Sequence, residues 1–190
     1  MNISGSTNCM WYRGFPAPRE QYVARSNWTI HVGVVIRECA DLLGLHAAFE
    51  SGNRTDAVIY RASGPRVANV EWEWIQPFRE KVNEVEKLLE GSGQVEFSVF
   101  ISYADKRHLG QSLEKVESIW SQADTPLLLF LVTFEVNGKN RHFCELQTYL
   151  FSKGRYKKLR EQGSMPNCME LDSQHRCVMR GRVWRILLPA

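Results

Sequence analysis

"TDAVIYRASGPRVANVEWEW", residues 55 to 74, reads as two strands joined by Ala62-Ser63-Gly64-Pro65. A Ser-Gly-Pro cluster between two runs of β-branched and aromatic residues is turn chemistry. Strand side chains alternate between faces, so Asn69, Glu71 and Glu73 share one face of the second strand while Val70, Trp72 and Trp74 share the other. One face is apolar and the other acidic. With residues 62 to 65 as the turn, Arg61 lies opposite Arg66, and counting back along both strands sets Asp56 opposite Glu71. Two carboxylates then meet where a buried sheet carries valines.

Working outward, Val35, Cys39, Leu42 and Leu43 recur at helical spacing, which predicts a helix over 28–45 that ends near Gly44, although the β-branched "WTIHVGVVI" at its start also fits a strand. "HAAFES" fits a short strand. After the hairpin, "FREKVNEVEKLLEGSG" places Phe78, Val82, Val85 and Leu89 on one stripe and predicts a second helix. "VEFSVFISY" alternates as a strand, "LGQSLEKVESIWSQ" spaces Leu109, Leu113, Val116 and Trp120 as a helix, and the continuous run "PLLLFLVTFEV" suits a strand covered on both faces. Asn137-Gly138 is a turn into the strand "RHFCELQTYLF", the basic segment 153–162 fits a helix, "GSMPNC" a loop and "RVWRILL" a closing strand. Residues 1–27 are aperiodic apart from a short helix at "PREQYV" and form an irregular arm. The expected class is α/β, a mixed central sheet flanked by helices.

A chain of 190 residues, 44% of them hydrophobic, can bury the core of one domain, and no repeat or low-complexity linker divides it. No apolar run approaches the ~20 residues of a membrane span, and the first residues carry neither a basic start nor an apolar signal core, so the expected location is the cytoplasm. Five cysteines form an odd set without close pairs, which favours reduced thiols over a disulfide framework. The net charge of +3 hides an asymmetry: residues 152–190 hold nine Lys/Arg against three Asp/Glu, the rest fifteen against eighteen. A basic section beside an acidic remainder suits a polyanion partner or a plain solvated surface.

The acidic pair admits two readings. Like charges directly opposite on a sheet destabilise it, so a covered Asp56 and Glu71 call for a compensating cation, and a hard divalent ion with carboxylate and water ligands would supply it. Glu38, close to the buried stripe of the first helix, is a further candidate ligand, while Arg37 and Asp41 look outward. Alternatively the face is solvated, with Arg61 and Arg66 balancing the acids. A third reading makes the tryptophans of "EWEWIQPF" an exposed interface of an interaction protein.

At these residues the chain resembles the PD-(D/E)XK nuclease superfamily. Its fold has a helix, a three-strand meander, a second helix and a further strand, an order that residues 28–103 match, so the resemblance implies a restriction-endonuclease-like αβββαβ core within 28–136, followed by C-terminal strands and a basic segment over 137–190. The family motif is an acid at the start of the second strand, then an acid, a spacer and usually a lysine in the third. Asp56 matches the first acid, Glu71 the second and Trp72 the spacer; Glu73 stands where lysine is usual, and some restriction enzymes of the fold carry Glu-x-Glu there.

The resemblance implies a metal-dependent endonuclease hydrolysing DNA phosphodiester bonds, of restriction or repair type. Asp56, Glu71 and Glu38 would hold Mg²⁺ or Mn²⁺, Glu73 would be the base that orients the attacking water, and Lys81 would stand in for the displaced lysine. Phosphate contacts are expected from Lys157, Lys158, Arg160, Arg180, Arg182 and Arg185. The partner is then DNA, bound by a monomer or a homodimer. A catalytically inactive nucleic-acid-binding relative keeps the same fold and basic surface. A zinc site from His142, Cys144, Cys168, His175 and Cys177 lacks any CxxC unit, and no Walker or dinucleotide glycine motif is present.

Overall fold

The structure, a computed structural model, describes residues 10–11, 25–51, 55–137, 140–163, 169–171 and 177–179. Its first long element is helix α1, Arg25–Leu42. The β-branched start is helical because Trp28, Val32, Ile36 and Ala40 fall on one stripe buried under the sheet. Gly44, at φ +69, ends it in the left-handed conformation. Three strands follow as an antiparallel meander, β1 (Leu45–Ser51), β2 (Thr55–Arg61) and β3 (Arg66–Glu73). Helix α2 (Glu84–Glu90) leads to β4 (Phe97–Asp105), helix α3 (Leu109–Trp120) to β5 (Leu127–Asn137), and two long strands, β6 (Asn140–Ser152) and β7 (Arg155–Gly163), complete the sheet.

The seven strands lie in chain order, with β3, β4 and β5 parallel and the flanking pairs antiparallel. This is a mixed sheet between helices. Val70, Ile101, Tyr103, Phe130 and Val132 pack under α1, whereas Phe100, Leu127, Leu129 and Leu131 pack against α2 and α3. Strand β5 contributes to both layers, which explains its unbroken apolar run. A short antiparallel pair, β8 (Met169–Leu171) with β9 (Cys177–Met179), forms a second, two-stranded sheet. Among the described residues no helix is long and apolar enough to cross a membrane.

Three expectations change. The second helix begins at Glu84 instead of Phe78. Arg79 N–H donates to the Gln76 carbonyl (3.1 Å) and Val82 N–H to that of Arg79 (3.1 Å), and helical bonding starts only with Lys87 N–H to the Asn83 carbonyl (3.0 Å). Tertiary anchors override the local spacing here: the Gln76 side chain accepts from Asp105 N–H at 2.8 Å, and Phe78 stacks on His108. The basic segment after residue 152 is strand β7, not a helix, because Lys153 (φ 54) and Gly154 (φ 69) form a tight turn that lays it antiparallel on β6. Within residues 1–27 the described positions are helical, with α1 already begun at Arg25. Met10 and Trp11 are helical and buried, with Trp11 edge-on to Trp28 at 5.0 Å. The short helix at "PREQYV", the loop at "GSMPNC" beyond Gly163 and the closing strand "RVWRILL" lie outside the described residues.

Candidate functional site

Strands β2 and β3 pair from Tyr60–Arg66 as far as Ala57–Val70, and the next position along both holds Asp56 and Glu71. The expected pairing is thus reached by a different route. Arg66 faces Tyr60 instead of Arg61, and a bulge at Val67 restores the register one step later, with Ala68 opposite Ile59. Beyond Val70 the ladder ends, and the Asp56 carboxylate takes the place of a backbone acceptor: Trp72 N–H donates to Asp56 Oδ2 at 2.8 Å. Strand β3 meanwhile stays paired with β4 through Glu73–Ser102, and the Ser102 hydroxyl donates to the carbonyls of Glu73 (2.9 Å) and Ile75 (3.1 Å). A cleft opens where β2 lets go.

That cleft, of about 240 Å³, is lined by Asp56, Glu71 and Glu73 from the hairpin, Glu84 and Lys87 from α2, Trp28 and Thr29 from α1, and Trp72 and Trp74. Glu71 is only 1% exposed, which removes the reading of a solvated acidic face. Arg61 does not balance the acids; it is ion-paired with Glu96. Nor are the tryptophans an exposed interface. Trp72 and Trp74 are half-buried against the core, with Trp74 edge-on to Trp28.

The electrostatics follow from this burial. Desolvation and then the charge of Asp56 push the Glu71 carboxyl up to about 8, against the pull of Lys87, whose Nζ lies 3.0 Å from Glu71 Oε2. Desolvation also raises Asp56, opposed by its bond from Trp72 N–H. The two carboxyls lie close enough to perturb each other, and the charge of Asp56 disfavours ionisation of Glu71. Burial raises Glu84 as well. Glu73 accepts from Ile75 N–H at 3.0 Å while facing the cleft.

The placement of the remaining candidates is mixed. Glu38 is half-buried on α1, nine residues beyond Thr29, which is roughly 13 Å along the helix axis, and it does not line the cleft. Lys81 is exposed in the turn before α2, so the cation that approaches Glu71 is Lys87. The signal for Lys87 was its position three residues after Glu84 and one before the buried Leu88, beside the stripe that faces the sheet. Lys157 and Lys158 are exposed on edge strand β7 and Arg160 is half-buried there, while Arg180, Arg182 and Arg185 lie outside the described residues. Four strand spacings separate β7 from β3, roughly 19 Å. Of the zinc candidates, Cys144 is in no disulfide; Cys168 and His175 lie outside the described residues.

Among the described residues no group of three or more His, Cys, Asp or Glu side chains is arranged to hold a metal ion. The pair Asp56 and Glu71 nevertheless suits Mg²⁺, which keeps several waters and is commonly held by one or two carboxylates plus substrate phosphate. Side by side and partly or fully buried, the two carboxyls resist ionising together, and a divalent cation between them would relieve that repulsion. The chain matches no protein-family model and no curated protein.

Proposed function

We propose that the chain is a metal-dependent endonuclease with a restriction-endonuclease-like core that hydrolyses DNA phosphodiester bonds. One observation carries the reading: Asp56, Glu71 and Lys87 converge in a cleft at the point where β2 parts from β3. The element order α1, β1 to β3, α2, β4 is the order that the motif resemblance implies, and it supports the same reading.

In this proposal Asp56 and Glu71 hold Mg²⁺ or Mn²⁺, which when bound polarises a phosphate oxygen and lowers the pKa of a water molecule. Glu73, in the lining of the cleft, accepts a proton from the attacking water and orients it. Lys87 supplies from α2 the positive charge that the strand motif lacks at Glu73, with one donor on Glu71 and others available for the phosphate. Trp72 N–H fixes the Asp56 carboxylate, so the pair is positioned before substrate arrives. Lys157, Lys158 and Arg160 contact the backbone of the same DNA some 19 Å away and contribute affinity without sequence choice.

The test is cleavage of plasmid and linear DNA with Mg²⁺ or Mn²⁺, comparing the wild-type chain, Glu71→Ala and an EDTA control. The expected result is metal-dependent nicking that falls on the order of 10³-fold in the variant, since a bound metal supplies several kcal/mol. Intact DNA in every arm overturns the nuclease. Salt-dependent binding without cleavage would then identify an inactive nucleic-acid-binding relative.

A further inference from the structure

A second cleft, of about 100 Å³, adjoins the acidic one and takes no part in the chemistry above. Lys87 lines both, so a single side chain divides them. The other walls are Thr55 and Arg66 from the hairpin, Glu90 and Gln94 at the far end of α2, and Asn69. Its donors are the Arg66 guanidinium, the Lys87 ammonium, the Thr55 hydroxyl and the amide N–H₂ groups of Asn69 and Gln94, beside the amide oxygens, the Gly91 carbonyl and the carboxylate of Glu90 at the exposed rim. Arg66 and Lys87 face Glu90, with Lys87 also held by Glu71 at 3.0 Å in the neighbouring cleft. Among the described residues Arg66 forms no ion pair, whereas its neighbour Arg61 is committed to Glu96.

Asn69 shows that the cleft is built into the fold. It is 4% exposed and lies on the face of β3 that carries Glu71, two residues away, about 6.6 Å along the strand. Its Nδ2 donates to the Gly91 carbonyl at 3.5 Å, which ties β3 to the end of α2, and its buried Oδ1 has no partner among the described residues. The two clefts therefore meet along one strand with Lys87 between them, and Asn69 and Glu71, one from each lining, are spaced about as neighbouring phosphates of a nucleic-acid strand are. A phosphodiester chain has this periodicity of negative charge, whereas a single small anion has no use for both clefts.

We propose that the cleft of Arg66, Thr55 and Gln94 is a subsite for the phosphodiester group next to the one that lies at Asp56 and Glu71, with Arg66 as its principal ligand. This rests on the nuclease reading and deepens it. Arg66 grips a phosphate in bidentate fashion, which a lysine would not reproduce. The subsite fixes the strand's position at the acids; it takes no part in bond breaking.

The test uses the full chain and a short DNA oligonucleotide whose cleaved linkage has been mapped, prepared also with an uncharged methylphosphonate at either adjacent linkage. Binding is followed by fluorescence anisotropy in EDTA, and cleavage by KM and kcat in Mg²⁺. The Arg66→Ala variant is expected to bind about tenfold more weakly, to show its loss in KM more than in kcat, and to reduce the salt slope by about one phosphate. A methylphosphonate at one adjacent linkage should weaken wild-type binding by a similar factor and cost Arg66→Ala nothing further, with Arg66→Lys in between. Because the methylphosphonate arm uses wild-type protein, it decides the matter even where a variant folds poorly. Cleavage that is indifferent to Arg66 and to both neutral linkages overturns the subsite and leaves the nuclease standing. An oligonucleotide that is neither bound nor cut overturns both.

Discussion

Two buried carboxylates stand near the ends of neighbouring strands, and their surroundings drive them in opposite directions. Asp105, at the end of β4, is 3% exposed and yet held at about 2, because Arg107 closes on it. The Arg107 backbone N–H (2.9 Å), Nε (3.1 and 3.2 Å) and Nη2 (2.6 Å) all donate to it, outweighing desolvation. Glu71, at the end of β3, is 1% exposed and pushed up to about 8, because desolvation is joined by the charge of Asp56 and opposed by Lys87. A buried acid surrounded by donors is a structural fastening. A buried acid set against another acid resists ionisation and keeps its proton, an arrangement that marks a candidate functional site where a ligand can displace that proton.

The largest effect that would test this contrast is the pH dependence of stability. Glu71 has a raised folded-state value, so between roughly its unfolded value of 4.5 and about 8 the folded state keeps a proton that the unfolded state has lost. Stability therefore falls as pH rises through that window, by at most ~1.4 kcal/mol per pH unit. Glu71→Gln should remove this slope, matching wild type near pH 5 and exceeding it near pH 8 in thermal melts without metal. Added Mg²⁺ should stabilise wild type increasingly as pH rises, because it competes with the proton, and should leave the variant unchanged. A wild-type stability that is flat from pH 5 to 8 would break the comparison at its Glu71 side.

Asp105 gives the opposite sign. Its value is depressed, so its contribution is present above the unfolded value of 3.8 and is lost as pH falls towards about 2. Asp105→Asn keeps the shape but weakens charge-assisted hydrogen bonds, worth about 1.5–3 kcal/mol, and urea unfolding at pH 7 should show a loss of that order. The DNA cleavage proposed above should survive under conditions where the variant is folded. A loss of cleavage without a loss of stability would move Asp105 into the site.

The acidic side of this contrast was legible in the sequence because period-two alternation in "ANVEWEW" fixes which residues share a face. The meeting of Asp56 and Glu71 was also foreseen, although the counting assumed a perfect hairpin, and the early shift at Tyr60–Arg66 is cancelled by the bulge at Val67. Lys87 was missed for a definite reason. A helix drawn from Phe78 makes Lys81 the natural cation, and only the anchoring of Gln76 and Phe78 by tertiary partners delays the helix to Glu84. Glu38 fitted the helix stripe, but sequence spacing cannot say which turn of a helix reaches the sheet's open end, and that turn carries Thr29. Strand β7 gave no period-two signal because, as an edge strand, it is exposed on both faces over most of its length, and Lys-Lys-Leu-Arg-Glu is good helix composition.

The smallest effect separates the cation's share from the rest. Lys87 is about one-third exposed in its pair with Glu71, so solvent screens it and the pair is worth at most ~1 kcal/mol. That attraction acts on the ionised Glu71 alone, and in the folded state Glu71 ionises only above about 8. Lys87→Met should therefore be nearly neutral at pH 5 and should cost its modest amount only at pH 9, while the decline of stability with pH extends further upward. The order of the two melting curves, coincident in acid and separated in base, is the signature. If Lys87→Met instead destabilised equally at both values, the lysine would be acting through its packed stem and not its charge, and the Glu71 side of the comparison would rest on desolvation and Asp56 alone.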